Sequence, residues 1–276
     1  MKLRFSKMHG IGNDFVIVDC RERALGLNKD QIARIGDRHR GVGFDQLLTI
    51  EPATDPSCAF RYVIYNIDGS TAQQCGNGVR CVAAWLRRAD ALGSGVTRLQ
   101  SPAGPVSVEL LDDGRVRVDM GVPSFELARV PFMANDATDF HTLTVAGSAV
   151  TFGVVSMGNP HAVIETSNAA NAPLQTIGAA LSTDMHFPNG CNVGFAQIVD
   201  RSHVILRVWE RGAGATLACG SGACAAVAIL RRRGKLDGDV TVTLPGGKLQ
   251  LQWAGEGSPL WMTGSAEFVF EGEIEA

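Results

Sequence analysis

The sequence predicts an α+β protein built from two pseudo-symmetric, duplicated domains, with the functional site in the cleft between them. Three observations predict this fold: a repeated motif, a large number of strand-forming segments, and one strongly apolar helix in each half. The chain has 276 residues, of which 45% are hydrophobic and 19% are charged. That length fits two domains of ordinary size, and that composition is typical of a folded core rather than of disorder.

The repeat is clearest around two cysteines. The segment Cys75–Gly78 precedes an apolar stretch that ends in arginines, and Cys219–Gly222 precedes a similar stretch 144 residues later. Two further matches follow in the same order: Gly12–Phe15 with Gly158–His161 at an offset of 146, and Val42–Gln46 with Val193–Gln197 at an offset of 151. Ordered matches at nearly constant spacing indicate a duplicated unit.

The repeat places the domain boundary near residues 120–123. We expect a first domain at residues 1–119 and a second at 120–264. Apolar, β-branched segments between turn residues predict strands in both. The predicted strands are Phe15–Asp19, Leu47–Glu51, Phe60–Asn66, Val106–Leu111, Val116–Met120, Leu143–Val145, Thr151–Ser156, Ala162–Glu165, Val193–Val199, Val204–Glu210, Val240–Leu244, Leu249–Gln252 and Glu267–Glu271.

Four helices are predicted. Lys29–Asp37 follows the N-cap candidate Asn28, and Leu174–Ser182 is a second candidate. The two strongest helices are Gly78–Ala91 and Gly222–Arg233, because they are rich in Ala and Leu and end in arginines that suit the negative end of a helix dipole.

Each repeated cysteine is predicted to lie immediately before a helix. The first turn of a helix offers unpaired backbone N–H groups and the positive end of the dipole, which lowers a cysteine pKa from about 8.5 toward roughly 3.5–7.5. The same N–H groups can bind a carboxylate. Two such thiols, Cys75 and Cys219, would suit the removal of a proton from one face of a carbon and its return on the other face.

Composition limits the alternatives. A net charge of −3 argues against non-specific nucleic-acid binding, and the longest apolar stretch, Ala223–Leu230, is too short to span a membrane. We therefore expect a cytoplasmic protein with no nucleic-acid or membrane partner. None of the five lysines lies in a repeated motif, which favours chemistry without pyridoxal phosphate or any other cofactor.

The remaining cysteines have no assigned chemistry. The chain has seven cysteines and no C-x-x-C pair, so neither a structural zinc site nor a thioredoxin-type motif is indicated, and no metal is expected. Cys20, Cys58, Cys81 and Cys224 are interpreted as core residues. Cys191 is left without a role.

Several segments closely resemble the diaminopimelate epimerase family. They are His9–Phe15, Gly41–Gln46, Tyr65–Ser70, Gln74–Cys81, Ser156–His161, Cys191–Phe195, Glu210–Gly214 and Ala218–Gly222. The resemblance runs from near residue 4 to the C-terminus. It implies barrel-like domains around a central helix, a last strand at residues 265–276 that returns to the first domain, and a homodimer.

The resemblance also implies an activity and residue roles. The activity is the interconversion of LL- and meso-2,6-diaminopimelate, in lysine and peptidoglycan precursor biosynthesis, with Cys75 as thiolate base toward the LL substrate and Cys219 as thiol acid. His161 and Glu210 would tune the charge state of the cysteines. The implied substrate-binding residues are Asn13, Gln46, Asn66, Gly76, Asn77, Asn159, Asn192, Glu210, Arg211, Gly220 and Ser221.

Two alternatives remain open at this stage. The chain could racemise another amino acid, such as proline, with the same two cysteines, although the Asn66, Asn159, Asn192 and Arg211 set argues for a substrate with a distal amino-acid group. It could instead be a redox-sensing or metal-binding cysteine protein without turnover. The lack of ligand-type cysteine spacing disfavours that reading.

Overall fold

The computed structural model describes residues 2–134 and 138–275 and divides into two compact units. The first unit runs to Val118 and includes the chain from Thr263 onward, and the second is Asp119–Met262. The first unit contains the strands β1 (Lys2–Gly10), β2 (Asn13–Asp19), β3 (Gln46–Pro52), β4 (Phe60–Asn66), β5 (Thr71–Ala72), β6 (Gly95–Ser101), β7 (Gly104–Leu110) and β8 (Val116–Asp119) and the helices α1 (Lys29–Gly36) and α2 (Gly76–Arg88).

The second unit repeats this sequence of elements. Its strands are β9 (His141–Val145), β10 (Ser148–Ser156), β11 (Pro160–Glu165), β12 (Asn192–Asp200), β13 (His203–Glu210), β14 (Gly214–Thr216), β15 (Asp239–Leu244), β16 (Gly247–Trp253) and β17 (Leu260–Gly264). A π-helix (Leu174–Gly178) leads into the short α3 (Ala179–Ser182), and α4 (Gly220–Arg232) is the long helix. The last strand, β18 (Glu267–Glu275), pairs antiparallel with β1 of the first unit.

The two units share one strand-pairing pattern. In the first, β1 pairs antiparallel with β2, β2 parallel with β3, β3 antiparallel with β4, and β4 parallel with β6. In the second, β10, β11, β12, β13 and β15 follow the same alternation. Each parallel pair needs a crossover connection, and helices supply all four. The predicted duplication of an α+β unit is confirmed.

Each long helix forms the centre of its unit. Helix α2 packs against β1, β2, β3 and β7, and α4 packs against β10, β11, β12, β13 and β16. Because strands from both ends of the paired series contact one helix, the strands curve around it. Ten of the thirteen residues of α4 are buried, including all of Ala223–Leu230, which explains the unbroken apolar run noted in the sequence.

Strand register corrects one of the three repeat matches. Phe15 lies opposite Gln46 in the first unit, and His161 lies opposite Asn192 in the second. Since Phe15 and His161 are equivalent at an offset of 146, Gln46 is equivalent to Asn192 at the same offset. The match of Val42–Gln46 with Val193–Gln197 at an offset of 151 is therefore wrong.

Several sequence-based element assignments also change. Strands β1, β5, β6, β14 and β17 were not predicted, and the predicted helix Leu174–Ser182 is a π-helix followed by a single α-turn. The long helices begin two residues earlier than expected, at Gly76 and Gly220, directly after the cysteines. Within the described part of the chain, no helix combines the length and apolar character needed to cross a membrane.

Candidate active site

Cys75 is the N-cap residue of α2, as the sequence predicted. Its Sγ accepts a hydrogen bond from the backbone N–H of Gly78 at 3.3 Å. The thiol donates to Asn13 Oδ1 at 3.7 Å, and Asn77 Nδ2 donates to the same oxygen at 3.2 Å. The fold thus brings Asn13, Cys75 and Asn77 together at the start of α2.

Gln46 and Asn66 form a second contact in the first unit. They lie opposite each other in the β3–β4 pairing, and Gln46 Nε2 donates to Asn66 Oδ1 at 3.1 Å. Asn66 Nδ2 donates to Ser70 Oγ at 3.0 Å across the hairpin that leads to β5. Two of the predicted binding amides are therefore held against each other by strand register.

Cys219 is the N-cap residue of α4 and is only 3% exposed. Its Sγ lies 3.7 Å from Ser221 Oγ, and Asn159 Nδ2 donates to that hydroxyl at 3.5 Å. Asn159, Ser221 and Cys219 are the counterparts of Asn13, Asn77 and Cys75.

The ionisation of Cys219 contradicts the expectation for a helix-start cysteine. Burial and, after it, the negative charge of Glu210 raise the pKa of Cys219 well above its ordinary value, and a hydrogen bond to that carboxylate raises it further. The Gly222 N–H and the Ser221 hydroxyl lower this pKa, but by less than burial and the Glu210 charge raise it. The prediction of a lowered pKa at Cys219 is wrong, because burial and a neighbouring carboxylate outweigh the helix start.

Glu210 is held in place by a second hydrogen bond. Thr216 Oγ1 donates to Glu210 Oε1 at 2.6 Å across the β13–β14 hairpin. The negative charge of Glu210 disfavours a thiolate at Cys219. Glu210 therefore lies where the predicted charge-tuning residue would act.

His161 cannot supply positive charge to either cysteine. It is 1% exposed, and burial together with the charge of Arg211 lowers its pKa to about 3. Its Nε2 lies 3.0 Å from Asn159 Oδ1. As a neutral imidazole near pH 7, it can orient Asn159 but cannot hold a cysteine as thiolate by charge.

The side chain of Asn192 binds the backbone of Arg211. Arg211 N donates to Asn192 Oδ1 at 3.0 Å, and Asn192 Nδ2 donates to Pro160 O at 3.2 Å. The exposed guanidinium donates through Nη1 to Asn189 O at 2.7 Å, beside a cavity of about 770 Å³ that Arg211 lines. The guanidinium is therefore on the accessible side, where it can bind an anion.

The site residues of the two units fall into equivalent pairs at offsets of 144 or 146 residues. The strand partners agree with these offsets, because Gln46 lies opposite Asn66 and the β12–β13 register brings Asn192 next to Glu210. The pairs are Asn13 with Asn159, Gln46 with Asn192, Asn66 with Glu210, Cys75 with Cys219, Gly76 with Gly220, and Asn77 with Ser221.

A charged cluster beside Cys75 was not predicted. Arg38 donates to both carboxylate oxygens of Asp14 at 2.9 and 2.6 Å and to Asp45 Oδ1 at 2.8 Å. The buried Lys7 also pairs with Asp14, at 2.5 Å. Asp14 and Asp45 stand next to Asn13 and Gln46 in the sequence, so acidic neighbours of the predicted binding amides were the available signal.

All seven cysteines are free thiols. Cys20, Cys58, Cys81 and Cys224 are buried, as the sequence predicted, and burial raises the pKa of Cys20 and Cys81 to about 12. Cys191 is also fully buried, and its thiol donates to Leu181 O at 3.6 Å. In the described ranges, no group of three or more His, Cys, Asp or Glu side chains could hold a metal ion.

Comparison with known proteins identifies the family. The family model for diaminopimelate epimerase matches residues 5–126 and 153–269. The chain belongs to the diaminopimelate epimerase family. A diaminopimelate epimerase of Xanthomonas campestris pv. campestris is 51% identical over 273 residues, which cover 99% of this chain and 96% of the relative. One of Ectopseudomonas mendocina is 47% identical over 274 residues, 99% of both chains. The predicted family and enzyme class, an isomerase of the epimerase type, are confirmed.

Solved structures with little sequence similarity share the fold. A Bacillus anthracis phenazine biosynthesis protein of the PhzF family superposes with a TM-score of 0.69 at 15% identity and covers all of both chains. A hydroxyproline epimerase from Agrobacterium vitis gives the same TM-score at 16% identity, over 99% of this chain and 92% of that one. The predicted fold class, two duplicated barrel-like domains, is therefore confirmed, and this epimerase family shares its fold with proteins of other names.

Proposed function

We propose that this epimerase interconverts LL- and meso-2,6-diaminopimelate by proton transfer between the substrate α-carbon and the thiols of Cys75 and Cys219. The observation that carries the proposal is the placement of both cysteines at the N-caps of equivalent helices, in a chain of this family. The substrate follows from the names of relatives that are 47–51% identical over nearly the whole chain.

The proposed reaction is balanced without an external acid or base. In the LL-to-meso direction, the Cys75 thiolate takes the α-proton and becomes a thiol. The Cys219 thiol gives its proton to the opposite face of the same carbon and becomes a thiolate. In the reverse direction the roles exchange, as microscopic reversibility requires. The mechanism requires both sulfur atoms to reach one carbon from opposite faces.

The raised pKa of Cys219 supports its role as the acid. Burial and Glu210 keep this thiol protonated at neutral pH, so it has a proton to give. The contacts at Cys75 differ, because this residue is only half-buried and its thiol contacts the neutral amide oxygen of Asn13 rather than a carboxylate. An acid and a base with different surroundings are what a two-base proton transfer needs.

The helix starts supply the charge stabilisation that the carbanion requires. Loss of the α-proton places negative charge on the neighbouring carboxylate, and the first turn of a helix presents backbone N–H donors and positive dipole ends. We infer that Gly76 and Asn77, with Gly220 and Ser221, bind the reacting carboxylate. The backbone of the chain supplies this stabilisation, so the proposed reaction does not use pyridoxal phosphate.

The distal end of the substrate carries a second amino-acid group. We infer that Arg211 pairs with its carboxylate and that Asn66, Asn159 and Asn192 bind its polar groups, with Asn13 and Gln46 completing the site. Arg211 is suited to this role because its guanidinium is exposed and its backbone N–H donates to Asn192, another residue of the proposed distal site. A distal site of this kind favours diaminopimelate over proline, which has no such group. The proposed setting is lysine and peptidoglycan precursor synthesis in the cytoplasm, by a homodimer.

One experiment tests the proposal. Purified protein is incubated with LL-diaminopimelate in deuterated water, and the stereoisomers are resolved and weighed by mass spectrometry. We expect meso product with deuterium at the inverted carbon, and loss of at least about a thousandfold in rate for Cys75→Ala and for Cys219→Ala, because each removes one of the two proton carriers. Cys224→Ala, a buried cysteine of α4, is the control. Near-wild-type turnover by Cys75→Ala, or turnover of proline instead, would refute the proposal.

A further inference from the structure

The Asn13 carboxamide lies between a thiol and a carboxylate. Its Oδ1 accepts hydrogen bonds from Cys75 Sγ at 3.7 Å and from Asn77 Nδ2 at 3.2 Å. Its Nδ2 donates to Asp45 Oδ2 at 2.8 Å. The two ends of one amide therefore face groups of different chemistry.

The Asp45 carboxylate is itself fixed by further contacts. Its Oδ2 also accepts from the backbone N–H of Asp14 at 3.1 Å, and its Oδ1 accepts from Arg38 Nη2 at 2.8 Å. Arg38 and Lys7 both bind Asp14, and Lys7 Nζ donates to Gly43 O as well. Although burial raises the pKa of Asp14, the hydrogen bonds from Arg38 and Lys7 lower it to about 2. Asp14 is therefore charged throughout the neutral range.

A carboxylate has no proton to donate, so the end of Asn13 that faces Asp45 must be its NH₂ group. The amide oxygen must then face Cys75. We propose that Asp45 is a positioning residue for the reaction, which holds the Asn13 carboxamide so that a hydrogen-bond acceptor lies against the Cys75 thiol. This inference rests on the proposed function only in taking Cys75 as a reacting thiol.

The second unit lacks this carboxylate. At the offset of 146 fixed by strand register, the counterpart of Asp45 is Cys191, a fully buried thiol that donates to Leu181 O. Asn159, the counterpart of Asn13, contacts the neutral His161 instead of an anion. The acidic residue that fixes the asparagine is thus present in only one of the two units, so its effect is specific to Cys75.

The orientation of Asn13 affects the charge state of the thiol. An acceptor against sulfur favours the protonated S–H form, and a donor in the same place favours the thiolate. Without the Asp45 carboxylate, the Asn13 amide can turn over together with the Asn77 amide that donates to it, and Asn13 then presents its NH₂ group to Cys75. Cys75 would then react as a thiolate at lower pH.

The test is a double-mutant cycle on Cys75 reactivity. In a Cys219→Ala background, alkylation of Cys75 by iodoacetamide is followed by mass spectrometry as a function of pH, alone and with Asp45→Asn, Asn13→Ala, or both. We expect Asp45→Asn to lower the pH of half-maximal alkylation rate by about one unit, a tenfold change in acid dissociation. With Asn13→Ala present, the same substitution should shift it by less than about 0.3 unit.

The cycle separates positioning from simple charge. If Asp45→Asn shifts the profile equally with and without Asn13, Asp45 acts as a remote charge and the inference is overturned. A lack of any shift also overturns it. The Asp45 side chain is 45% exposed, so Asp45→Asn should fold. Asp45→Ser is a second variant that also removes the carboxylate. Arg38→Gln, which breaks the cluster but keeps the carboxylate, is the matched control and should not lower the alkylation pH.

Turnover gives an independent readout. In the otherwise wild-type chain, Asp45→Asn should shift the pH profile of kcat in the LL-to-meso direction about one unit lower, because Cys75 becomes the thiolate base at lower pH, while KM changes less than about threefold. An unshifted profile overturns the inference. Alkylation of Cys75 does not require turnover. If the protein does not epimerise diaminopimelate, the alkylation profiles still test the role of Asp45.

Discussion

Asn66 and Glu210 occupy equivalent positions, each at the end of the strand that precedes the hairpin to a helix-start cysteine. Each lies nine residues before its cysteine. Glu210 is hydrogen-bonded to the Cys219 thiol and raises its pKa, whereas Asn66 bears no charge. The change at this position of a duplicated fold thus contributes to two thiols in different electrostatic surroundings.

This difference predicts the effect of Glu210→Gln. Removal of the carboxylate charge should lower the pKa of Cys219, because burial then acts without a neighbouring anion. The measurement is the ultraviolet thiolate absorbance against pH in a Cys75→Ala background, with the Cys75→Ala, Cys219→Ala double variant subtracted. Glu126→Gln, at an exposed ion pair, is the control. A titration at the same or higher pH in Glu210→Gln would contradict the assigned cause.

Local sequence patterns predicted the parts of this site that depend on neighbouring residues. The cysteines at the helix starts follow from glycines and apolar runs next to them. The charge state of Cys219 could not be predicted in this way, since it depends on burial and on Glu210, which the β13–β14 hairpin brings close.

Long-range pairing explains the other errors. Strand β1 shows an alternating pattern, with Leu3 and Phe5 buried and Lys2 and Arg4 exposed, but one of its two partners, β18, lies more than 250 residues away. The offset of 151 arose because β12 contains a Val-Gly-Phe-x-Gln sequence that resembles the segment before β3. Only the registers of the paired strands showed that Gln46 corresponds to Asn192.

Space around the two sulfur atoms predicts unequal effects of glycine substitution. A Cβ at Gly222 would lie 3.1 Å from Cys219 Sγ and 3.2 Å from Val208 Cγ2, so the sulfur must move. At Gly78 a Cβ would lie 3.2 Å from Leu48 Cδ1, as close as to Val208 in the other unit, but its distance to Cys75 Sγ is 3.4 Å, an ordinary contact. Small displacements of reacting groups have large effects on rate. We expect Gly222→Ala to lower kcat at least about tenfold and Gly78→Ala to lower it less.

Stability should change little in both variants. Alanine favours helix over glycine by up to about 1 kcal/mol, which offsets part of the crowding. Urea denaturation and steady-state kinetics on the same preparations separate the two effects. Gly93→Ala, where a Cβ would meet nothing within 4 Å, is the control. A greater loss of activity in Gly78→Ala than in Gly222→Ala would be inconsistent with these distances.

Burial of neutral His161 predicts a loss of stability in acid. Burial lowers the folded-state pKa from 6.5 to about 3, so between these pH values the unfolded chain binds a proton that the folded chain does not. The free energy of unfolding therefore falls as the pH falls from about 6.5 toward 3, by about 1.4 kcal/mol per pH unit. From pH 7.5 to pH 5 this histidine should account for about 2 kcal/mol.

Replacement of the imidazole tests this contribution directly. Glutamine can still donate to Asn159 but does not titrate, so His161→Gln should lose about 2 kcal/mol less than the wild-type chain between pH 7.5 and pH 5. Urea denaturation at the two pH values measures the difference. His39→Gln, which removes an exposed histidine, is the matched control. Equal acid destabilisation of His161→Gln and wild type would show that His161 is not held neutral by burial.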